Sequence, residues 1–234
     1  MSRLAATLRN DVRLQLRYGF YWAGAVVALV WIAILSQVPA ASVRVLIPAL
    51  LFLNGTITTY FFVAGLVLFE KREGVLEALV ATPLPPEGYL ASKVVTLTGL
   101  AAVETLAIVL LGWGADFQLA PVVAGVVLLG VVFVLVGFLV IFRYDSINEF
   151  LLPGSLVSTV LQLPVFSVLG FWKPAFFWLW PTTGPLMLLS AGFDAVETPR
   201  LVAAVALSLV WISALGWLVR RSFLRFIVRG EGAR

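Results

Sequence analysis

Six apolar stretches follow one another along the chain, at about 20–38, 45–69, 94–113, 119–142, 150–171 and 201–219. A hydrocarbon core of roughly 30 Å takes about 20 helical residues to cross, so the pattern predicts six membrane-spanning helices. Ahead of them, residues 1–19 place Leu4, Leu8, Val12 and Leu16 at i+4 spacing with Arg9, Arg13 and Arg17 on the adjacent stripe, the pattern of an amphipathic helix lying in the interface. A cleaved signal peptide ending near Val38-Pro39-Ala40-Ala41 is the competing reading. The arm and the apolar run are both longer than signal regions usually are, which favours a retained anchor. One further apolar segment, 176–190 (FFWLWPTTGPLMLLS), is short and broken by Pro181, Gly184 and Pro185. It suits short re-entrant or interfacial helices on the outer side. Counting it as a seventh span would put the Arg-rich tail outside.

Composition sharpens the class. With 62% hydrophobic and 12% charged residues and a mean hydropathy of +1.06, the chain is a polytopic membrane protein. No aqueous stretch reaches the roughly 50 residues a soluble domain needs, so residues 1–234 read as a single membrane domain. Cys and His are both absent, which removes disulfides, thiolate nucleophiles, imidazole bases and most zinc sites. The net charge of +4 comes from arginines beside the apolar stretches, where they meet lipid headgroups rather than nucleic acid. Of the 16 basic residues, 13 fall on the arm, the 2–3 and 4–5 connections and the tail, against Arg44, Lys173 and Arg200 on the other side. Both termini are therefore expected in the cytoplasm.

The connection from Glu70 to Lys93 has a pattern of its own. Val75, Leu76, Leu79 and Val80 share one helical face, and Glu73 and Glu77 the other. A short amphipathic helix ends at Thr82, because Pro83 disfavours helix before it and Pro85-Pro86 keeps the chain extended. Such a helix could rest on the headgroups. An acidic face with Glu70, Glu73, Glu77 and Glu87 is a poor partner for an anionic leaflet, and docking to a protein fits it better.

A Glu/Arg-rich start, Gly74, an acidic-apolar helix, Thr82-Pro83-Leu84 and a Lys93 opening the next span together resemble the membrane subunits of type-2 ABC transporters, especially small bacterial drug and fluoroquinolone export permeases. The resemblance runs over nearly the whole chain. It implies an all-α, six-span fold in the cytoplasmic (inner) membrane, with the 2–3 loop as a coupling helix seated on a cytoplasmic ATPase. Glu73, Val75, Leu76, Glu77, Leu79 and Leu84 are then the coupling positions, Val75 departing from the Thr of many members. A second permease subunit, as in a homodimer, is implied. The chain has no Gly-x-x-x-x-Gly-Lys-Ser/Thr loop, so it is expected not to be an enzyme and to bind no cofactor; ATP and Mg would sit on the separate ATPase subunit.

Polar residues within the spans mark a candidate substrate path. Asn54 and Thr58 share a face of the second span, and Ser155, Ser158 or Thr159, and Gln162 form a stripe on the fifth; the resemblance gives these two spans the central route. Polar residues of this kind also join helices, at about 1 kcal/mol or less per bond. Glu104 is the only acid deep within a span, about 11 residues or roughly 16 Å from Lys93. An ionised carboxylate there costs roughly 2.5 to 3.5 kcal/mol on insertion scales, so it should face a cavity, hydrogen-bond to a neighbouring helix or be neutral. A polar cluster of Glu104, Asn54 and Gln162 is the expectation. Export of a lipophilic or amphipathic compound is the favoured function. A non-transporting membrane scaffold is the alternative, and an intramembrane enzyme is disfavoured for want of a second acid, a His or a metal cluster.

Overall fold

The structure, a computed structural model, describes residues 3–76 and 86–228. Helix α1 (Arg3–Arg17) precedes the first span α2 (Phe20–Gln37). The second span is one long rod built from α3 (Ala40–Thr56), a π turn (Ile57–Phe61) and α4 (Phe62–Arg72). Then come α5 (Pro86–Gly112), α6 (Leu119–Ile141) and α7 (Ile147–Gln162) with its short continuation α8 (Val165–Val168). A 3-10 turn (Ala175–Leu179) and α9 (Thr183–Ala191) lead to the sixth span, α10 (Thr198–Phe223). Among the described residues, six helices are long and apolar enough to cross a membrane and no strand occurs.

The spans differ in how much of themselves they bury. In their most apolar windows the second and fourth spans are 72% and 67% buried, whereas the first, fifth and sixth are only 22%, 28% and 22% buried. The second and fourth spans therefore form the centre, and α6 packs against α3, α4, α5, α7, α9 and α10. Small residues let it do so. A Cβ at Gly125 would lie 2.8 Å from the Leu189 backbone nitrogen of α9, and one at Gly130 2.9 Å from Thr98 Oγ1 of α5. Close approach at glycine replaces the hydrophobic effect, which does not act between helices in lipid. The outward faces of α2, α7 and α10 carry exposed Leu, Val and Trp such as Trp22, Leu152 and Val210, as lipid or a second subunit requires.

Three elements differ from the sequence pattern for physical reasons. The fifth span, expected as one run over 150–171, breaks after Gln162, where Pro164 caps the short α8 and Gly170 turns the chain at φ 83°. In the outer segment, expected as re-entrant or interfacial, α9 is nine residues long, far short of a span, and packs into the bundle against α6, α10 and α3, which departs from the interfacial alternative only. In α1 it is Asp11 and Gln15 that face the bundle, while Leu16 is 52% exposed. Asp11 and Gln15 thus turn inward while Arg9, Arg13 and Arg17 stay exposed, and Gly19, at φ 79°, makes the bend into α2.

Candidate functional site

Among the described residues, two clusters that contain buried charged side chains stand out inside the bundle. The first is at the end of the bundle where α1, the C-terminal end of α4 and the N-terminal end of α5 meet. Lys93 of α5 is fully buried, and its Nζ donates to Asp11 Oδ1 of α1 at 3.0 Å and to Glu70 Oε1 of α4 at 2.7 Å. Both carboxylates are almost as buried, with side chains 4% and 2% exposed. Tyr89 Oη donates to Glu70 Oε2 at 2.6 Å, Ser92 Oγ donates to Asp11, and Gln15 Nε2 donates to Thr96 Oγ1 at 2.7 Å. The ammonium also lies 4.4 Å from the Tyr89 ring centroid. One buried cation thus ties the N-terminal helix to the ends of both spans that flank residues 77–85.

Lys71, next in the chain to Glu70, points the other way. It donates to the carbonyls of Phe142 (3.3 Å) and Tyr144 (2.7 Å) and to Asp145 Oδ1 (3.0 Å). Those carbonyls close the C-terminal end of α6, where a cation is favoured by the helix dipole. Ser146 then starts α7 by accepting from the Glu149 backbone N–H at 3.3 Å. The root of the loop is therefore clamped on both sides.

Of the expected coupling positions, Glu73 lies beside Arg17 of α1, 4.0 Å from its guanidinium. The chain turns through Gly74, at φ 68°, and is helical again at Val75 and Leu76, the latter buried. Glu77, Leu79 and Leu84 lie outside the described residues. Glu70 does not belong to an exposed acidic face as the loop pattern suggested, because Lys93 and Tyr89 hold it inside. Glu87 is half exposed and pairs with Arg220 of α10 at 2.6 Å.

The second cluster lies at mid-span. Glu104 of α5 is 5% exposed, and its Oε2 accepts from Thr58 Oγ1 (2.5 Å) and from Asn54 Nδ2 (3.4 Å). Its Oε1 has no hydrogen-bond partner and rests against Gly24 of α2, where no Cβ would fit. Asn54 Oδ1 is likewise unpartnered. The π turn begins three residues after Asn54 and contains Thr58; such turns in long helices often sit at functional positions. Gln162 stays out of this cluster, since its Nε2 donates to Ser158 Oγ one turn back at 2.8 Å. Thr159 is exposed and donates to the Ser155 carbonyl. The candidate path positions thus part into an interior set, Asn54 and Thr58 of the second span with Glu104 of the third, and a set on α7 that reaches its outer face. The buried phenol of Tyr60 bridges the spans by donating to the Gly154 carbonyl at 2.9 Å.

The chain matches the fluoroquinolones export permease protein family over residues 2–231. It is also 34% identical over 235 residues to the fluoroquinolones export permease proteins of two strains of Mycobacterium tuberculosis, with 99% of this chain and 99% of each relative covered. This chain belongs to that family. It is a multi-pass membrane permease subunit for export, and its six-span, all-α architecture agrees with that membership. The ionic cluster around Lys93 escaped the pattern because Asp11 sat in an Arg-rich arm, and Glu70 and Lys93 read as loop charges. The available signal was spacing, since a lone acid at Asp11 interrupts a basic helix.

Proposed function

We propose that this permease is the membrane half of an ABC exporter, a single membrane domain driven by a separate cytoplasmic ATPase that carries ATP and Mg. Two permease subunits, in a homodimer, enclose the route. Both termini and the 2–3 connection lie in the cytoplasm, and the connection seats on the ATPase through Glu73, Val75, Leu76, Glu77, Leu79 and Leu84. The cargo is a lipophilic or amphipathic small molecule, in keeping with the drug class in the relatives' names.

One observation carries the coupling role. The Lys93 ammonium, held by Asp11 and Glu70, binds α1, α4 and α5 together at the two roots of the loop. A push on the loop then reaches the second and third spans and the interfacial helix as one body, rather than being absorbed by a flexible hinge. From there α4 leads through the π turn to Thr58 and Asn54, whose contact with Glu104 links the second and third spans again near mid-membrane. Asn54, Thr58 and Glu104 form the interior wall of the route in this reading, and Ser155, Thr159 and Gln162 its outward face.

The test is recovery. The tagged chain, purified from its native membrane in mild detergent, brings with it an ATPase subunit in equal amount, and Glu73→Ala with Leu79→Ala weakens that recovery. A chain recovered without any ATPase, in wild-type form and under several detergents, contradicts the proposal and favours a scaffold.

A further inference from the structure

At the end of the bundle away from the termini, a cavity of about 420 Å³ opens between α8, the 3-10 turn and α9. That volume falls within the range of about 300–1,000 Å³ typical of small-molecule sites. Its walls are of two kinds. Phe177, Trp178, Leu186 and Met187 make an apolar, partly aromatic side, while Lys173 and Asp194 stand on its border with opposite charge. Both charged residues are exposed, and neither makes an ion pair with the other or with any other described residue. Past Trp178 and Met187, a further cleft of about 170 Å³, lined by Ala203, Ala204 and Leu207 of α10, extends the apolar side. Beyond Asp194, a polar cleft of about 240 Å³ also takes in Arg44 and Asp116.

We infer that this outer cavity is a binding site for an amphipathic zwitterion, whose anionic group meets Lys173, whose ammonium meets Asp194 and whose flat apolar body lies against Trp178 and Phe177. The cavity is anchored rather than accidental. Trp180 Nε1 donates to the Val160 carbonyl, Thr182 Oγ1 to the Leu161 carbonyl and Thr183 Oγ1 to the Phe177 carbonyl, at 3.2, 2.7 and 2.6 Å, so the turn, α9 and α7 hold one another in place. An aromatic face gives contact area at little entropic cost, and two unpaired charges of opposite sign fix the orientation of a molecule that carries both. Two sources share this chemistry. One is a drug-like aromatic amino acid met on the exit side of an export route, and the other is the headgroup of a phosphatidylethanolamine in the outer leaflet.

The site stands independently of the ATPase, so its test uses the purified full chain alone, in nanodiscs of phosphatidylglycerol, which lacks a cationic group. Equilibrium dialysis measures binding of norfloxacin, a planar aromatic acid with a secondary ammonium, of its methyl ester and of its N-acetyl derivative. A parallel set of discs, doped with spin-labelled phosphatidylethanolamine or phosphatidylglycerol, measures lipid retention. For the drug source, Lys173→Met weakens norfloxacin by about three- to fivefold, the scale of a partly exposed charge pair, but leaves the ester unchanged; Asp194→Asn does the same with the N-acetyl derivative insensitive. For the lipid source, both substitutions abolish the preference for phosphatidylethanolamine and leave norfloxacin unaffected. If neither norfloxacin binding nor lipid preference responds to either substitution, the inference is overturned. Trp178→Ala, expected to weaken the zwitterion and both its derivatives alike, separates loss of the apolar wall from loss of charge. Because no ATPase takes part, a negative result here leaves the permease reading intact, and failure of ATP-driven export leaves this site intact.

Discussion

Replacing Lys93 by Met removes the one cation between two carboxylates that the fold has withdrawn from solvent. In the wild type the ammonium is 0% exposed and satisfies Asp11 and Glu70 at 3.0 and 2.7 Å. Without it, both acids stay in the same apolar surroundings, supported only by the hydroxyls of Ser92 and Tyr89. Breaking a buried pair by deleting one partner costs about 3–5 kcal/mol, a large share of the 5–15 kcal/mol that usually holds a domain together. For a chain of this size that corresponds to a fall in midpoint temperature of about 6 to 20 °C. The assay is thermal unfolding of the detergent-purified chain, followed by size-exclusion chromatography of the surviving monodisperse fraction. Because the charges are buried, the fall should persist at high salt, unlike that of a surface pair. The triple replacement Asp11→Asn, Glu70→Gln, Lys93→Met removes every charge at once and should recover most of the lost stability. If Lys93→Met unfolds within 2 °C of wild type, roughly, the cluster does not hold these helices and the coupling argument built on it fails.

Other outcomes follow from the same geometry. Arg220→Ala breaks the pair with Glu87, but both side chains are more than half exposed, so stability should change by less than about 1 kcal/mol, read as a small midpoint shift that vanishes with added salt. Gly24→Ala drives a methyl into the Glu104 carboxylate; it should destabilise by about 1–3 kcal/mol, whereas Gly99→Ala, which meets nothing within 4 Å, should be neutral or stabilising by up to about 1 kcal/mol, both by thermal midpoint. Glu104→Leu leaves Thr58 and Asn54 without their acceptor and should cost about 1–3 kcal/mol and reduce transport, while Glu104→Gln keeps an acceptor and should fold normally. Unchanged assembly and transport in Glu104→Leu would remove this cluster from the route.

Much of the fold was legible because lipid imposes a simple length rule. The fourth apolar run, expected at 119–142, is a helix over Leu119–Ile141, and the sixth, expected at 201–219, extends to Thr198–Phe223 because hydropathy does not register the polar turns at its ends. The third span begins well before its apolar run. Pro86, Glu87, Gly88 and Tyr89 look like loop, yet they form the first turn of α5, with Tyr89 buried against Glu70. The π turn at Ile57–Phe61 leaves no mark in the pattern, since one extra residue per turn shifts a face without changing its apolarity. Pairings between distant helices were hardest. Glu104 with Asn54 was anticipated from depth alone, and that reasoning wrongly added Gln162, which had a closer partner in Ser158. Depth fixes height in the membrane but not direction around the helix. Asp11, Glu70 and Lys93 lie on three separate segments, and nothing in the local pattern of any one of them points to the other two.

The most direct measurement is uptake of norfloxacin by inverted membrane vesicles that contain this permease together with the ATPase subunit proposed to drive it. ATP-dependent accumulation that survives a protonophore, stops with a non-hydrolysable ATP analogue and is lost in vesicles lacking this chain is the predicted result. Accumulation that a protonophore abolishes and that proceeds equally with the analogue would contradict the account.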